Sequence, residues 1–411
     1  MMKERVFTIA TVAIIIFLAF GLGYFLGQSP WAPYPLFGAA TTTPDEAEEA
    51  FAPFWEAWNL VHTRYYDLPV DDNLLTEGAI DGMLSVLGDD HTRYLSPSDE
   101  EAARQSMSGE FQGIGAEVEG RDGFITVVSP IEGSPAEAAG LQPGDRLLRA
   151  DGVDLTGMDV SEAAALVRGP AGTAVLLLVA RGEEQFELEI VRDVVALKSV
   201  RSEILDDNIA YLRLNRFGDN SGEELSDALA ALMAANPQGL ILDLRRNPGG
   251  ALDTAVVIAD EFLPEGTILI ERFGNDNERL YESTDKGQAE EIPLVVLIDE
   301  GSASASEVLA GAIRDEKRGT LIGQTTFGKG TVQTWASLSN GGGVRLTIAR
   351  WLTPNETWVH KQGIAPDYFI PLPEFNPDVE YEDTQLQAAI DFLLGEKIIS
   401  VPPVAIDESE G

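Results

Sequence analysis

The chain has 411 residues, enough for two or three domains with separate cores, and its 44% hydrophobic and 23% charged content is that of ordinary globular protein. Its charge is not ordinary: 28 basic against 68 acidic residues leave a formal net charge of −40, which repels phosphates and anionic lipid and excludes nucleic acid as a partner. The acidic residues are spread along the chain without a metal-ligand cluster, and the absence of cysteine excludes a disulfide framework, a thiol nucleophile and lipidation after the N-terminal apolar run.

Lys3 and Arg5 precede Val6–Leu26, 21 uncharged and mostly apolar residues, long enough to span a bilayer as a helix. A cleaved signal peptide has a shorter apolar core of about 7–15 residues, so residues 1–27 are read as a cytoplasmic N-terminus and uncleaved anchor, with Ala39-Ala40 the place where a cut would fall. Positive charge before the span and none just after it keeps the N-terminus in the cytoplasm and puts everything from Gln28 outside. Residues 28–49, rich in Pro, Thr and Ala, read as a linker. In residues 50–95 apolar side chains recur at helical spacing, Phe54, Trp58 and Val61, then Leu75, Ala79, Met83 and Leu87, which predicts two amphipathic helices forming an arm. His91, in Gly88-Asp-Asp-His-Thr-Arg-Tyr-Leu95, reads as a turn or packing residue.

Residues 96–192 carry two glycine signatures: Phe111-Gln-Gly-Ile-Gly-Ala-Glu-Val118, and Ser134-Pro-Ala-Glu-Ala-Ala-Gly-Leu-Gln-Pro-Gly-Asp-Arg-Leu-Leu148. Together with Asp151-Gly152 and Arg168-Gly-Pro-Ala-Gly-Thr173, these resemble a PDZ domain. In such a module Gly113, Ile114 and Gly115 expose N–H groups that hold a terminal carboxylate, while the neighbouring strand edge pairs with an extended peptide. Arg168 is the candidate link between this module and the rest of the chain.

Residues 193–376 read as an α/β core. Ile209–Leu214 is a strand pattern, residues 222–235 a helix and Gly239–Leu244 a buried strand, followed by Arg245-Arg-Asn-Pro-Gly-Gly250 and a helix over residues 251–262. This turn has neither the P-loop lysine nor Rossmann spacing, so a phosphate cradle is disfavoured. Asp243, an acid in an apolar strand with no histidine near it in sequence, reads as structural rather than as a triad member. Leu294–Ile298 is another buried strand, and helical spacing resumes at Ser306, so the serines of Glu300-Gly-Ser-Ala-Ser-Ala-Ser-Glu307 sit where strand turns to helix. Backbone N–H groups at a helix start lack internal partners and can stabilise an oxyanion. Ser304-Ala-Ser-Glu307 equally fits the S-x-x-E capping box, which needs no chemistry.

Thr326-Phe-Gly-Lys-Gly-Thr-Val-Gln333 follows. Lys329, 25 residues after Ser304 and flanked by two glycines, is either a solvated turn residue or a general base. The second role requires burial to bring its pKa down from about 10.4 towards neutrality. Gln333 shares a strand face with Thr331, which puts its amide oxygen where it can hold the amine. Arg345–Trp351 is a strand, His360 reads as a surface strand residue, and residues 377–411 hold a final amphipathic helix, Thr384–Gly395, and an acidic tail.

The paired GSASASE and TFGKGTVQ motifs resemble the carboxyl-terminal processing peptidases, or tail-specific proteases, over about residues 50–395. The resemblance implies an α/β (α+β) multidomain serine endopeptidase with Ser304 as nucleophile, Lys329 as base, Gln333 orienting the lysine, and the Gly250 and Ala305 amides as oxyanion hole. It further implies that no metal or organic cofactor is needed, that the substrates are unfolded or tail-exposed proteins, and that the N-terminal and C-terminal helical regions can make homo-oligomer contacts. Gln362-Gly-Ile-Ala-Pro-Asp367 matches the closing motif of that family, whereas Asp89-Asp-His-Thr92 departs from its usual D-P-H-S form. A silent tail-binding scaffold and an esterase are the competing classes. The expected location is a single-pass cell membrane protein of bacterial type, its catalytic part on the periplasmic or extracellular face.

Overall fold

The computed structural model describes residues 45–372, except Glu132 and Asn275, and residues 382–400. The expected anchor, most of the linker and the acidic tail lie outside these; no helix among the described residues is long and apolar enough to cross a membrane. The chain forms two units with a boundary at Thr76/Glu77. In the first, helix α1 (Asp45–Arg64) starts inside the segment read as linker, with Glu48 and Glu49 near its electropositive end. Phe51, Phe54, Trp55, Trp58 and His62 form a run of ring contacts along it, and His62 Nε2 lies 2.7 Å from Asp72 Oδ1 at the start of α2 (Asp72–Ser85).

In the second unit, β1 (Arg93–Leu95), read as part of the arm, pairs instead with a core strand described below. Helix α3 (Pro97–Ser108) is capped by Ser96 and closed by Gly109 in the left-handed region. Strand β2 (Glu110–Gly113) then leads into a module that β9 (Asp193–Ala196) leads out of; the two pair antiparallel, so the module hangs from the core on adjacent strands. Between them lie β3 (Ala116–Arg121), β4 (Phe124–Pro130), α4 (Pro135–Ala138), β5 (Arg146–Ala150), β6 (Val153–Asp154), α5 (Val160–Val167), β7 (Ala174–Arg181) and β8 (Glu184–Val191). The antiparallel sheet runs β3-β4-β5-β7-β8 and closes on its own core of Ile114, Ile125, Val127, Leu147, Val175, Leu177 and Val179.

The core sheet has the order β10-β11-β12-β15-β16-β19, formed by β10 (Val200–Leu205), β11 (Ile209–Leu214), β12 (Gly239–Asp243), β15 (Leu294–Ile298), β16 (Thr320–Gly323) and β19 (Tyr368–Phe369). Every pairing except β10–β11 is parallel. Parallel strands need both faces covered, which is why β12 and β15 are buried at every position and read as unbroken apolar runs. Side chains alternate between faces. Leu240, Leu242, Val296 and Ile298 meet α6 (Ser221–Ala234), α7 (Leu252–Asp260) and α8 (Ala305–Asp315) in one core, while Ile241, Val295, Leu297 and Ile322 meet α9 (Thr384–Leu393) in the other.

A second sheet is built on the long β18 (Gly343–Leu352). On one edge it pairs with β17 (Thr331–Ser337), and on the other with β1 and with β13 (Thr267–Phe273), which carries β14 (Glu278–Glu282). The turn after β12 and the loop after β15 therefore emerge side by side at the carboxyl edge of the parallel sheet, where open α/β sheets place their sites, and β17 carries in the segment holding Lys329.

Candidate active site

The three serines of the 300–307 loop have different surroundings. Ser302 and Ser306 are fully buried; Ser302 Oγ donates to Leu244 O at 2.8 Å and Ser306 Oγ to Asn247 O at 2.9 Å, stapling the loop to the turn after β12. Ser304 between them is only half-buried. Its backbone sits at φ 55°, ψ −113°, a region side-chain-bearing residues rarely enter, whereas an ordinary N-cap serine is extended. This is the strand-to-helix elbow geometry that pushes a hydroxyl outward. It is held by the Ser304 N–H donating to Glu307 Oε2 at 2.8 Å and by the Ala303 N–H donating to Asn247 O at 3.0 Å. The reverse half of the capping box thus forms around a strained backbone.

The 245–250 turn is fixed by Asn247, whose side-chain amide donates to Leu214 O at 2.7 Å and whose side-chain oxygen accepts the Gly249 N–H at 2.9 Å. Gly249 has φ 95°, and a Cβ there would stand 2.6 Å from Ala303 O and 2.9 Å from Ser304 Cβ. Only glycine allows the turn to lie this closely over the serine. The backbone around Gly250 bridges to Phe217 through the Phe217 N–H to Gly249 O and the Ala251 N–H to Phe217 O, which leaves the Gly250 N–H pointing elsewhere. Among the described residues neither the Gly250 N–H nor the Ala305 N–H donates to a protein acceptor. Two free donors therefore flank Ser304, the second at the electropositive start of α8.

Lys329 is brought in by Glu307. This fully buried carboxylate accepts from Thr326 Oγ1 (2.6 Å), the Gly328 N–H (2.6 Å) and the Lys329 N–H (2.8 Å) as well as from Ser304. On the far side the indoles of Trp351 and Trp358 donate to Lys329 O and Gly330 O, both at 2.8 Å. The lysine is half-buried, and its pKa falls to about 8, chiefly because burial penalises the ammonium and secondly because the Arg345 guanidinium is near; Glu307 and Asp89 act in the opposite sense. No hydrogen bond joins Ser304 Oγ to Lys329 Nζ among the described residues; Glu307 is what couples the two segments. A half-buried, strained serine, two free N–H donors and an amine neutral in part near pH 8 are the components that acyl transfer requires.

Residues 208–370 match the peptidase family S41, residues 126–181 a PDZ domain and residues 37–99 the activating protease CtpB N-terminal domain. The chain is 39% identical over 321 residues to the carboxy-terminal processing protease CtpA of Bacillus subtilis, covering 78% of this chain and 69% of that one. It is 38% identical over 366 residues to the carboxyl-terminal-processing protease of Synechocystis, covering 85% of each. The chain belongs to peptidase family S41. It is a serine endopeptidase of the carboxy-terminal processing type, with a PDZ domain. A putative S41 protease from Bacteroides fragilis shares the fold, with a TM-score of 0.55 at 17% identity over 87% of this chain and 99% of that one.

Within this S41 site several expectations meet a different geometry. Gln333 does not hydrogen-bond Lys329. It lies on the expected face with Thr331, but its amide nitrogen donates to Thr331 Oγ1 (2.8 Å) and Thr347 Oγ1 (3.2 Å), and its oxygen accepts from Arg345 Nη2 at 3.4 Å. His360 lies in a turn rather than on a strand, stacked on Trp358 at 4.9 Å and 6.1 Å from the His91 ring. Asp243, by contrast, is structural as expected: Arg245 binds both its oxygens, at 2.9 and 2.7 Å, and Tyr211 Oη donates to it at 2.7 Å. Arg245 reaches on to Asp383, tying the end of β12 to α9.

In the PDZ domain Gly115 has φ 77°, and a Cβ there would collide with Ser134, whose hydroxyl donates to Gly115 O at 2.8 Å. Arg168 stays within the PDZ domain, its guanidinium 6.0 Å from the Phe111 ring and its stem beside Gly113. The sequence reading missed Glu307 as a hub and missed Arg345, Trp351 and Trp358. Only the first left a trace, since the S-x-x-E spacing already placed a carboxylate one helical turn beyond Ser304.

Proposed function

We propose that this S41 peptidase is membrane-anchored through residues 6–26, faces the outside of the cell, and cleaves polypeptides near their C-termini with a Ser304–Lys329 dyad. The observation that carries the reading is Ser304 at positive φ between the free N–H groups of Gly250 and Ala305, tied through Glu307 to the segment of Lys329. Ser304 Oγ attacks the scissile carbonyl as Lys329 Nζ takes its proton, and the tetrahedral oxyanion is held by the two N–H groups. The ammonium returns the proton to the leaving amine, and the neutral amine then activates the water that hydrolyses the acyl-enzyme.

The PDZ loop Gly113-Ile-Gly115 holds the substrate's terminal carboxylate, so that the bond cut lies a fixed reach from the end. Proteome-wide mapping of new C-termini in cells carrying wild-type or Ser304→Ala protein tests this. Truncated tails should disappear with the serine, and tails captured yet equally intact in both strains would sink the reading. Arg168, at the mouth of that loop, couples tail binding to turnover. In Arg168→Ala the rise in cleavage rate on adding an apolar-tailed peptide should drop several-fold, and an unchanged response would eliminate the coupling.

A further inference from the structure

We propose that Phe327 is a specificity-determining residue of this peptidase, an apolar wall of the substrate cleft that receives an aliphatic or aromatic side chain beside the bond to be cut; this rests on the Ser304–Lys329 reading above. Every other residue of the segment 321–330 is buried or half-buried, whereas Phe327 is 61% exposed. It belongs to none of the three hydrophobic clusters among the described residues. A single exposed apolar side chain is common on protein surfaces and by itself means nothing. This one differs in how it is held and in what is held with it.

The backbone is fixed on both sides of the ring. The Phe327 N–H donates to Ser302 O at 3.0 Å, on the loop that carries Ser304, and Thr326 Oγ1 before it and the Gly328 N–H after it both donate to Glu307 Oε1 at 2.6 Å. Gly328, at φ 90°, then runs so close to residues 361–363 that a Cβ there would stand 2.8–3.0 Å from their backbone nitrogens. The frame around Phe327 is closed, so its ring is exposed by construction rather than by looseness. The same frame carries the reacting groups, since the other oxygen of Glu307 accepts the N–H groups of Ser304 and Lys329, each at 2.8 Å. A polypeptide that lays its carbonyl against Ser304 and the Gly250 and Ala305 N–H groups, within reach of Lys329, therefore runs along the Phe327 ring. A substrate side chain that covers the ring takes apolar surface of both partners out of water. A charged one gives up hydration there and gains no partner from phenylalanine. The PDZ domain then selects the tail, and Phe327 the bond that is cut.

The test uses full-length wild type, Phe327→Ala, Phe327→Leu and Phe327→Lys, and peptides built on a site that the wild type cuts in casein. All carry one apolar tail, and the residue on each side of the cleaved bond is changed in turn to leucine or glutamate. Competition within one mixture, read by mass spectrometry, gives the ratio of kcat/KM for leucine over glutamate, which does not depend on how much of a variant is folded. On one side of the bond wild type should favour leucine by about tenfold or more, a preference that Phe327→Ala should lose and Phe327→Leu largely keep, while Phe327→Lys should turn it towards glutamate. The loss in Phe327→Ala should lie in KM for the leucine peptide rather than in kcat, as for binding made equally in ground and transition states. A ratio unaltered in Phe327→Ala overturns the proposal, including one that accompanies an equal loss on every peptide, which would show that the ring only supports the frame. So does a wild type that does not distinguish leucine from glutamate on either side. Separately, cleavage retained by Lys329→Ala would remove the dyad reading while leaving the ratio and its dependence on Phe327 intact.

Discussion

Lys329→Met should lower kcat on an unstructured protein by about four orders of magnitude or more, the scale seen when one member of a nucleophile–base unit is removed, while raising the thermal unfolding midpoint at neutral pH. The loss follows from the site, where Lys329 is the residue near Ser304 whose amine is brought towards neutrality. The gain follows from linkage. Its native pKa of about 8 lies below the unfolded value of about 10.4, so between those values the unfolded chain binds more protons and stability rises with pH. Below pH 8 the whole penalty of holding a half-buried ammonium is present, and methionine, of similar length and without charge, relieves it. The same titration makes wild-type kcat/KM fall about tenfold per unit as pH drops below 8. A folded Lys329→Met protein that still cleaves would refute the dyad. One that is inactive and less stable at pH 7 would show that the lysine serves packing rather than proton transfer.

The sequence made the elements of this enzyme legible where a single physical cause dominates. Leu240–Leu242 and Leu294–Ile298 are continuous apolar runs because both their faces are covered, and the helices at residues 221–234, 305–315 and 384–393 follow from 3.6-residue spacing. The serine, the lysine and the glycine turn were recognisable as motifs. The second sheet was not, since β1 is three residues long and pairs with a strand some 250 positions away, a contact that no local pattern encodes. Nor were the bonds of Gln333: it shares a face with Thr331, as alternation predicts, but its amide is taken up by Thr331 and by Thr347 and Arg345 of β18, partners from another strand that no local pattern encodes. Ser304 shows the converse: a capping spacing was visible, but whether the serine caps an ordinary helix or sits on an elbow is decided by its backbone angles.

Glu307→Gln should cost about 3–5 kcal/mol of stability and most of the activity, a larger effect than its place as the third residue of an ordinary capping box would give. A capping glutamate at an exposed helix end serves one N–H, and its loss costs about 1 kcal/mol. Glu307 is buried and accepts four donors, the N–H groups of Ser304, Gly328 and Lys329 and the hydroxyl of Thr326. Two are shared by Oε1 and two by Oε2, so an amide NH2 in place of Oε2 strands the Ser304 and Lys329 N–H groups, and one in place of Oε1 strands the Gly328 N–H and reverses the Thr326 bond, each unsatisfied buried group costing about 1–3 kcal/mol. Thr326 Oγ1 also accepts the Ile364 N–H at 2.7 Å, so losing its partner loosens the closing motif as well. Ser304 would relax from positive φ once its N–H is released, moving the hydroxyl from the Gly250 and Ala305 donors, and the Lys329 segment would lose its tie to α8. Glu307→Asp, which keeps both oxygens but retracts them by one methylene, should recover part of the stability and little of the rate. Chemical denaturation and single-turnover cleavage measured on the same preparations separate the two losses. A Glu307→Gln protein with wild-type kcat would mean that the strained serine does not depend on this carboxylate.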